Sequence, residues 1–370
     1  MGPMGRLAPA SRRTEQQRRL YPAAHHRPRQ EQAMGRSVKS GPGVAIVGCG
    51  LIGQKRAKAL GGARLVVCAD VVQERADRLA ATVDGCNAVA DWKQAVSDPA
   101  AAIVIVATLH DSLAEIAHGA VANGKHVLIE KPAARRAGEL AGLSEAAAAS
   151  GSLVRVGFNH RYHRALQKAH QLVASGALGP LMFLRARYGH GGRPGYDREW
   201  RSNPATSGGG ELIDQGPHLI DLARWFLGEF PEVEGFAATY FWDMPVDDNG
   251  FLLLKTAAKQ VAFLHASCTE WKNTFSFEIY GRDGKLEING LGGSYGIERL
   301  TFYRMLPEMG PPETTSWEYP MADNSWDVEF AEFLDDIRLK RAPSAGVRDA
   351  IEALTIIEKI YRISGYDHHA

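Results

Sequence analysis

A glycine-rich loop between a predicted strand and a predicted helix constrains the fold of this chain most. Residues 44–47 form a short apolar run typical of a buried parallel strand. The run leads directly into Gly48-Cys49-Gly50-Leu51-Ile52-Gly53, and a helix is predicted over residues 54–60. In such a loop the first glycine permits a tight turn, the second lets a pyrophosphate approach the backbone, and the third lets the helix pack against the strand. The loop therefore predicts a dinucleotide-binding site.

An acid at the end of the next predicted strand indicates which dinucleotide binds. Residues 64–69 form a second apolar run, followed by Asp70, which lies 22 residues after Gly48. An acid roughly 20 residues beyond the first glycine holds the ribose hydroxyls of NAD, and its charge would repel the 2′-phosphate of NADP. We therefore expect NAD to be bound in preference to NADP. The alternative is that Asp70 only caps the helix predicted over residues 71–81.

Strands and helices continue to alternate up to about residue 159, which is typical of a doubly wound parallel sheet. Further strands are predicted over residues 101–108, 126–130 and 153–158, and helices over residues 113–123 and 134–150. Ligands of such sheets bind outside the carboxyl ends of the strands. Candidate cofactor or substrate residues therefore follow the strands directly: Thr108, Glu130, Lys131, Pro132, Asn159, His160 and Arg161.

The pattern changes after residue 160. Helices are predicted over residues 162–175, 325–341 and 347–364, and strands over 181–188, 233–242, 251–257, 261–269, 274–280 and 285–288. This order predicts a largely antiparallel sheet in a second domain. The expected organisation is a basic tail over residues 1–41, a dinucleotide-binding domain over 42–159, and an α+β domain for substrate binding over 160–370.

Composition excludes several classes of protein. The 370 residues carry 43 Lys and Arg against 42 Asp and Glu, and no apolar run is long enough to span a membrane. Four cysteines without CxxC spacing indicate neither a structural zinc site nor a disulfide framework, so we expect a cytoplasmic protein without a metal site. Nothing after the tail is basic enough to make nucleic acid the expected partner.

The first 40 residues differ in composition from the rest of the chain. They contain nine basic residues against two acids, Glu15 and Glu31, and almost no aliphatic side chains. Such a segment cannot bury a core and is expected to be disordered. Three explanations of this segment stay open: it is a transit peptide, it is a nucleic-acid-binding tail, or translation of the protein truly starts at Met34.

A chemically dense segment lies at residues 208–221, where three glycines precede Asp214, His218 and Asp221. If the segment is helical, Asp214 and His218 share one face. A carboxylate beside a neutral histidine fixes its tautomer and prepares it to accept a proton near neutral pH. The segment thus predicts an acid–base pair, with Asp221 as a second partner or a plain surface charge.

Together, the Gly48–Gly53 loop, Glu130-Lys131-Pro132 and the 208–221 segment resemble the glucose–fructose oxidoreductase/inositol dehydrogenase (Gfo/Idh/MocA) family. The resemblance implies a Rossmann domain and a second domain with an open, mostly antiparallel sheet that is often used for oligomer contacts, here in a dimer or tetramer. It also implies that Lys131, Asp214 and His218 are catalytic and that Arg161 lies near substrate or nicotinamide. The family often has a histidine where this chain has Leu113, so either His110 takes its place or the nicotinamide ribose is held differently.

A glycine-rich segment, residues 189–201, is too long for a simple connection and is expected to bind substrate. Its rings at Tyr196 and Trp200 are suited to stacking on a sugar. The segment also contains three arginines, Arg193, Arg198 and Arg201. They are expected either to bind a phosphate or carboxylate of the substrate or to pair with Asp197 and Glu199 at the surface.

These observations predict an NAD(P)-dependent dehydrogenase acting on a secondary alcohol of a sugar, sugar acid, nucleotide-linked sugar or inositol. His218 is expected to take the hydroxyl proton, Lys131 to polarise the reacting oxygen, and Asp214 to orient both groups. The alternatives are a redox-neutral glycosidase that uses the same cofactor, a non-catalytic NAD-responsive regulator, and a reductase of another carbonyl.

Overall fold

The computed structural model describes residues 41–366. The predictions made for the basic tail fall on residues 1–40 and lie outside this range. The described part of the chain contains two sheets, one of six strands and one of eight.

The first sheet is parallel throughout, with the strand order β3-β2-β1-β4-β5-β6. Its strands are β1 (Gly43–Val47), β2 (Arg64–Ala69), β3 (Asn87–Val89), β4 (Ile103–Val106), β5 (His126–Ile129) and β6 (Val154–Val156). The helices between them are α1 (Leu51–Lys58), α2 (Gln73–Ala80), α3 (Trp92–Ser97), α4 (His110–Ala122) and α5 (Leu143–Ser150). The strand order reverses between β1 and β4, which is where ligands of doubly wound sheets bind. The predicted Rossmann sheet is confirmed.

One helix of this part is shorter than predicted. The alanine-rich stretch 134–150 contains a short 3₁₀ helix, Ala137–Leu140, before α5 begins at Leu143. Gly142 between them has a φ of +75°. This left-handed backbone conformation interrupts a continuous α-helix, although the alanines favour one.

The second sheet has the strand order β14-β13-β12-β11-β7-β10-β9-β8. Its strands are β7 (Leu181–Gly189), β8 (Glu232–Ala238), β9 (Asn249–Lys255), β10 (Val261–Ser267), β11 (Thr274–Gly281), β12 (Gly284–Asn289), β13 (Glu298–Arg304) and β14 (Glu313–Tyr319). Neighbouring strands are antiparallel except β7 and β10, which are parallel. The predicted mostly antiparallel sheet is confirmed, with two further strands, β13 and β14.

The remaining helices join the two sheets. They are α6 (Arg164–Ala174), α7 (Pro204–Ser207), α8 (Glu211–Asp214), α9 (Gly216–Leu227), α10 (Ser325–Leu339) and α11 (Val347–Ser364). Helix α9 packs on the second sheet, whereas Phe330 and Phe333 of α10 lie in one apolar cluster with residues of β1 and β4. Helix α11 contacts β6 of the first sheet and β8 of the second, so it connects the two sheets. Between residues 41 and 366, no helix combines the length and apolar character needed to cross a membrane.

Candidate active site

The glycine-rich loop has the tight geometry that its sequence predicts. Gly48 has a φ of +94°, and a Cβ at this position would lie 2.4 Å from the carbonyl oxygen of Ala107. A Cβ on Gly53 would lie 1.9 Å from the carbonyl oxygen of Gly48. Both positions therefore require glycine, the first for the turn and the second for packing α1 against the loop. A Cβ on Gly50 would meet nothing within 4 Å, so the backbone is open to an approaching ligand there.

A cleft of about 440 Å³ lies beside this loop, and Asp70 forms part of its wall. The Asp70 carboxylate accepts hydrogen bonds from the backbone N–H groups of Cys49 and Val72, both at 2.9 Å. It thereby ties the loop to the start of α2. Val72 is the residue at the N-terminal cap of α2, so a helix cap would explain only the bond from Val72. The bond from Cys49 lies outside that helix. Asp70 is therefore more than a helix cap.

These residues fit a dinucleotide. The first turn of α1 has no capping side chain at Gly50 and no acid of its own, so its backbone N–H groups are free for an anion. The open backbone at Gly50 and the Asp70 carboxylate lie along one cleft, and the first residues of α1 follow Gly50 directly. A pyrophosphate would meet the loop, with Leu51 and Ile52 at the helix start, and an adenosine ribose would meet Asp70.

A second cavity, of about 380 Å³, contains most of the other predicted residues. Ala107 and Thr108, at the end of β4, line both this cavity and the cleft, so the two spaces adjoin. The predicted site residues that line the cavity are Leu51, Ile52, Thr108, Glu130, Lys131, Asn159, Trp200, Asp214 and His218. The carboxyl ends of the first sheet and the α8–α9 segment thus meet at one place.

Lys131 and Asp214 are directly paired. The Lys131 Nζ atom donates to Asp214 Oδ1 at 2.9 Å and to the Asp214 carbonyl oxygen at 2.6 Å. Arg201 Nε donates to the other carboxylate oxygen at 2.8 Å. Burial alone would raise the pKa of Asp214, but the two cations outweigh it and hold that pKa well below its usual range. Asp214 is therefore ionised and fixes the position of the Lys131 ammonium.

The predicted hydrogen-bonded pair of Asp214 and His218 is wrong. The helix is interrupted at Gln215, between α8 and α9, and the Asp214 carboxylate turns to Lys131 and Arg201 instead. His218 Nδ1 is buried without a hydrogen-bond partner. Burial, followed by the Lys131 charge, lowers the pKa of His218 well below its ordinary value. His218 is thus a neutral imidazole near a carboxylate that it does not bond.

A second histidine stacks flat on His218. The ring of His160 lies 3.7 Å from that of His218, centroid to centroid, with 9° between the planes. His160 is also buried, which lowers its pKa well below the ordinary value and keeps its ring neutral. The stack fixes the plane of the His218 ring. Sequence reasoning placed His160 among the residues that follow a strand, but it did not predict the stack, because stacking across elements leaves no spacing signal.

Arg161 and Asp221 do not take the positions expected of them. The Arg161 guanidinium donates to both oxygens of Asp221, through Nε at 2.8 Å and Nη2 at 2.5 Å. Both side chains are buried, and neither lines the cavity. Arg161 therefore joins β6 to α9 and does not face substrate or nicotinamide, and Asp221 is neither a partner of His218 nor a surface charge.

Side chains of the glycine-rich segment 189–201 lie in three places: at the cavity, buried behind its wall, and at the protein surface. Trp200 lines the cavity, with its ring 4.8 Å from that of His110. Tyr196 is buried behind the wall, where its hydroxyl donates to Glu211 at 3.3 Å, so its expected stacking on substrate is wrong. Arg193 pairs with Glu199 at 2.6 Å, as the surface alternative predicted. Arg198 lies 3.8 Å from Asp197.

Glu130 helps to fix the end of β5, where the next residue is Lys131. Its carboxylate accepts from Arg56 Nε at 2.5 Å, and Arg56 also donates to Glu329 at 2.5 Å. Arg56 and Glu329 are completely buried. This three-residue cluster joins α1, the end of β5 and α10. It fixes the strand end that carries Lys131, while the cofactor contact expected of Glu130 stays a prediction.

His110 lies at the cavity wall, where a substitute for the family histidine was expected. Its Nδ1 lies 2.8 Å from the Ser207 carbonyl oxygen, which accepts only if Nδ1 carries the proton. Burial lowers the pKa of His110 to about 4. The ring is therefore neutral, with Nε2 as its lone-pair nitrogen.

One part of the wall was not predicted. Leu291, Gly292, Ser294 and Tyr295, between β12 and β13, line the cavity. Tyr295 lies 5.0 Å from Tyr188 of β7, ring centroid to ring centroid. Nothing in the sequence of this connection indicated which cavity it would face.

Comparison with known proteins gives two family matches. Residues 43–158 match the family described as an oxidoreductase family with an NAD-binding Rossmann fold, and residues 166–287 match the GFO/IDH/MocA C-terminal domain. The first match includes the glycine-rich loop and Lys131, and the second includes Asp214 and His218.

Several individual proteins are also similar. A levoglucosan dehydrogenase from Pseudarthrobacter phenanthrenivorans is 28% identical over 230 residues, 55% of this chain and 59% of the relative. Inositol 2-dehydrogenase 2 from Saccharopolyspora erythraea is 29% identical over 226 residues, 58% of this chain and 62% of the relative. The chain thus matches about three fifths of the length of these curated relatives.

A solved levoglucosan dehydrogenase in complex with NADH and levoglucosan shares the fold. Its TM-score is 0.78 at 24% identity, and the match covers 88% of this chain and 98% of that one. The two matches to one family follow each other along the chain and together cover well over half of it. The first spans the first sheet, and the second spans β7 to β11 of the second sheet. The chain therefore belongs to the Gfo/Idh/MocA oxidoreductase family.

Proposed function

We propose that this protein is an NAD-dependent dehydrogenase that oxidises a secondary alcohol on an uncharged, polyhydroxylated ring. The observation that carries the proposal is the neutral His218 beside the Lys131–Asp214 pair, in a cavity that adjoins the glycine-loop cleft at Thr108. The dehydrogenase names of the relatives, which refer to levoglucosan and inositol, support the same substrate class.

The charges of the cavity favour an uncharged substrate over an acidic or nucleotide-linked sugar. Its wall carries three basic and three acidic side chains: Lys55, Lys131, Arg201, Glu130, Asp214 and Asp323. Lys131 is paired with Asp214, and Arg201 is paired with both Asp214 and Glu199. Capture of a phosphate or carboxylate would require these cations to leave a buried partner, which is costly. Trp200 supplies the apolar surface on which a ring can stack.

In the mechanism we propose, bound NAD supplies the hydride acceptor and the side chains control the substrate proton. Lys131 donates a hydrogen bond to the reacting oxygen and stabilises its negative charge as the proton leaves. His218 accepts that proton at Nε2, since Nδ1 is buried away from the cavity. Asp214 holds the ammonium of Lys131 in place and stabilises the imidazolium that forms.

The reaction is tested by nicotinamide near-ultraviolet absorbance with purified protein and NAD. The substrates are inositols, free sugars and anhydrosugars, with sugar acids and nucleotide-linked sugars as the charged comparison. An increase in absorbance with an uncharged class supports the proposal. Release of a sugar from glycosides without reduced cofactor would instead identify the redox-neutral glycosidase. Cofactor binding with no product from any substrate would point to a regulator.

We expect kcat/KM to decrease toward acidic pH only below about 6.5. The pKa of His218 is lowered from its ordinary value of 6.5, so the imidazole that accepts the proton is already neutral above that pH. As the pH falls through the lowered pKa, His218 becomes protonated and the rate declines. A pH profile of kcat/KM measures this. A decline that begins above pH 7 would contradict the neutral state assigned to His218.

Asp70 is expected to determine the choice between NAD and NADP. Asp70→Asn removes the charge that would repel a 2′-phosphate and keeps an acceptor for the Cys49 N–H group. The ratio of kcat/KM for NADP to that for NAD should rise roughly tenfold or more, which corresponds to about 1.4 kcal/mol. Asp111→Asn, which removes a charge elsewhere in the same cleft, is the matched control. An unchanged ratio in Asp70→Asn would remove Asp70 from this role.

We also propose that the protein is a homo-oligomer, a dimer or a tetramer. One face of the second sheet exposes Phe236, Leu253 and Phe263 on the adjacent strands β8, β9 and β10. Neighbouring exposed apolar side chains on one sheet face are typical of an interface. Light scattering after size-exclusion chromatography should give a mass of at least twice 40.3 kDa. Phe263→Lys should lower that mass, and a monomeric wild-type protein would contradict the proposal.

A further inference from the structure

Three of the four cysteines meet beneath the glycine-rich loop. Cys49 belongs to the loop, Cys68 to β2, and Cys86 directly precedes β3. The sulfur atoms of Cys68 and Cys86 are 3.6 Å apart, and the thiol of Cys49 lies beside that of Cys68. All four cysteines are free thiols. The pairing of β2 with β3 brings Cys68 and Cys86 together, and the sequence spacing did not indicate this.

The two close thiols differ in access to solvent and in acidity. Cys68 is completely buried, whereas Cys86 is partly exposed. The hydrogen bond from Cys68 lowers the pKa of the Cys86 thiol. Hydrogen bonds with Cys49 and Cys86 raise the pKa of Cys68. A thiolate is the reactive form of cysteine, so Cys86 is the thiol that reacts first with an oxidant from solution.

We propose that Cys86 and Cys68 form a reversible oxidation site, which a hydroperoxide converts into a disulfide. The Cys86 thiolate attacks the terminal oxygen of the peroxide, the O–O bond breaks, and the departing alkoxide takes a proton from water and leaves as an alcohol. Cys86 is then a sulfenic acid. Cys68 attacks its sulfur, the S–S bond forms, the S–O bond breaks, and the thiol proton leaves in water. The two thiols lose two electrons, and the peroxide gains them.

The distance permits this step. A disulfide requires its sulfur atoms at ~2.05 Å, so they must approach by roughly 1.5 Å from their present separation. Cys86 lies outside β3, where side-chain rotation and a small backbone shift are possible. Cys68 supplies the resolving thiol without leaving its strand. The site lies outside the cavity that contains His218, so it does not depend on the proposed dehydrogenase activity.

The test treats the folded full chain with tert-butyl hydroperoxide, denatures it, and blocks the remaining thiols with N-ethylmaleimide before peptide mass spectrometry. We expect two of the four thiols to disappear, one linked peptide containing Cys68 and Cys86, and recovery of both thiols with dithiothreitol. Cys268, which is buried far along the chain, is the internal control and should stay alkylated.

Two variants separate the steps. Cys68→Ser should accumulate a sulfenic acid at Cys86 that dimedone captures, because the resolving thiol is gone. Cys86→Ser should protect Cys68 from oxidation. If Cys68→Ser fails to fold, as judged by circular dichroism, Cys68→Ala takes its place. Four thiols that remain free in the wild-type protein, a link that includes Cys268, or sulfinic acid at Cys86 without a disulfide would overturn the proposal.

Discussion

Replacing His218 with alanine is expected to lower kcat by roughly 10²- to 10⁴-fold, the usual contribution of a positioned acid–base group. The structure gives His218 a neutral ring, a plane fixed by stacking on His160, and a position on the cavity wall. Without it, the hydroxyl proton loses its proposed acceptor. Steady-state kinetics with the substrate identified in the absorbance assay measure the loss.

Two controls show whether that loss is chemical. His218 lies outside the glycine-loop cleft, so the affinity for NADH, measured by fluorescence titration, should stay within about twofold of wild type. Added imidazole should restore part of the lost rate, because a small base can enter the space left by the side chain. A kcat within twofold of wild type would remove His218 from proton transfer.

Lys131→Met is expected to lower kcat by roughly 10²- to 10³-fold with a much smaller change in KM, as for loss of one donor to a developing oxyanion. Methionine keeps much of the length and apolar volume of the lysine side chain but cannot donate. Asp214 keeps its bond from Arg201, so the carboxylate is not left without a partner. Steady-state kinetics with the same substrate give both constants.

Lys131→Arg is the matched control for Lys131→Met, since it keeps the charge but changes the shape of the donor. We expect it to retain part of the activity. The thermal unfolding midpoint of each variant shows whether the fold is kept. Equal losses in both variants, with a lowered unfolding midpoint, would indicate a structural role for Lys131, and so would a change confined to KM.

The first sheet was predictable because its signals are local. The strand before Gly48 and the acid 22 residues later belong to one βαβ unit, and short apolar runs mark the other strands. The second sheet was predictable where its strands alternate between buried and exposed side chains, as in β11. Strand β14 was missed because its residues are mostly exposed and carry no apolar alternation. It is an edge strand that pairs only with β13.

The candidate site was predictable as a set of residues but not as a set of contacts. Lys131 and Asp214 lie 83 residues apart in the chain, and the sequence cannot show that they bond to each other. The expectation that Asp214 bonds His218 assumed an unbroken helix, whereas the structure interrupts it at Gln215. Arg161 was expected near substrate because it follows a strand of the first sheet. It instead satisfies a buried carboxylate, Asp221, which would be costly to leave unpaired.

The most direct test of the proposed reaction follows the hydride itself. Substrate carrying deuterium at the oxidised ring carbon is incubated with NAD and the protein, and the reduced nicotinamide is examined by mass spectrometry. The account predicts stoichiometric deuterium in the reduced cofactor, together with a ketone product. Recovery of the deuterium in a hydrolysed sugar, or its loss to water, would contradict an alcohol dehydrogenase that works through His218 and Lys131.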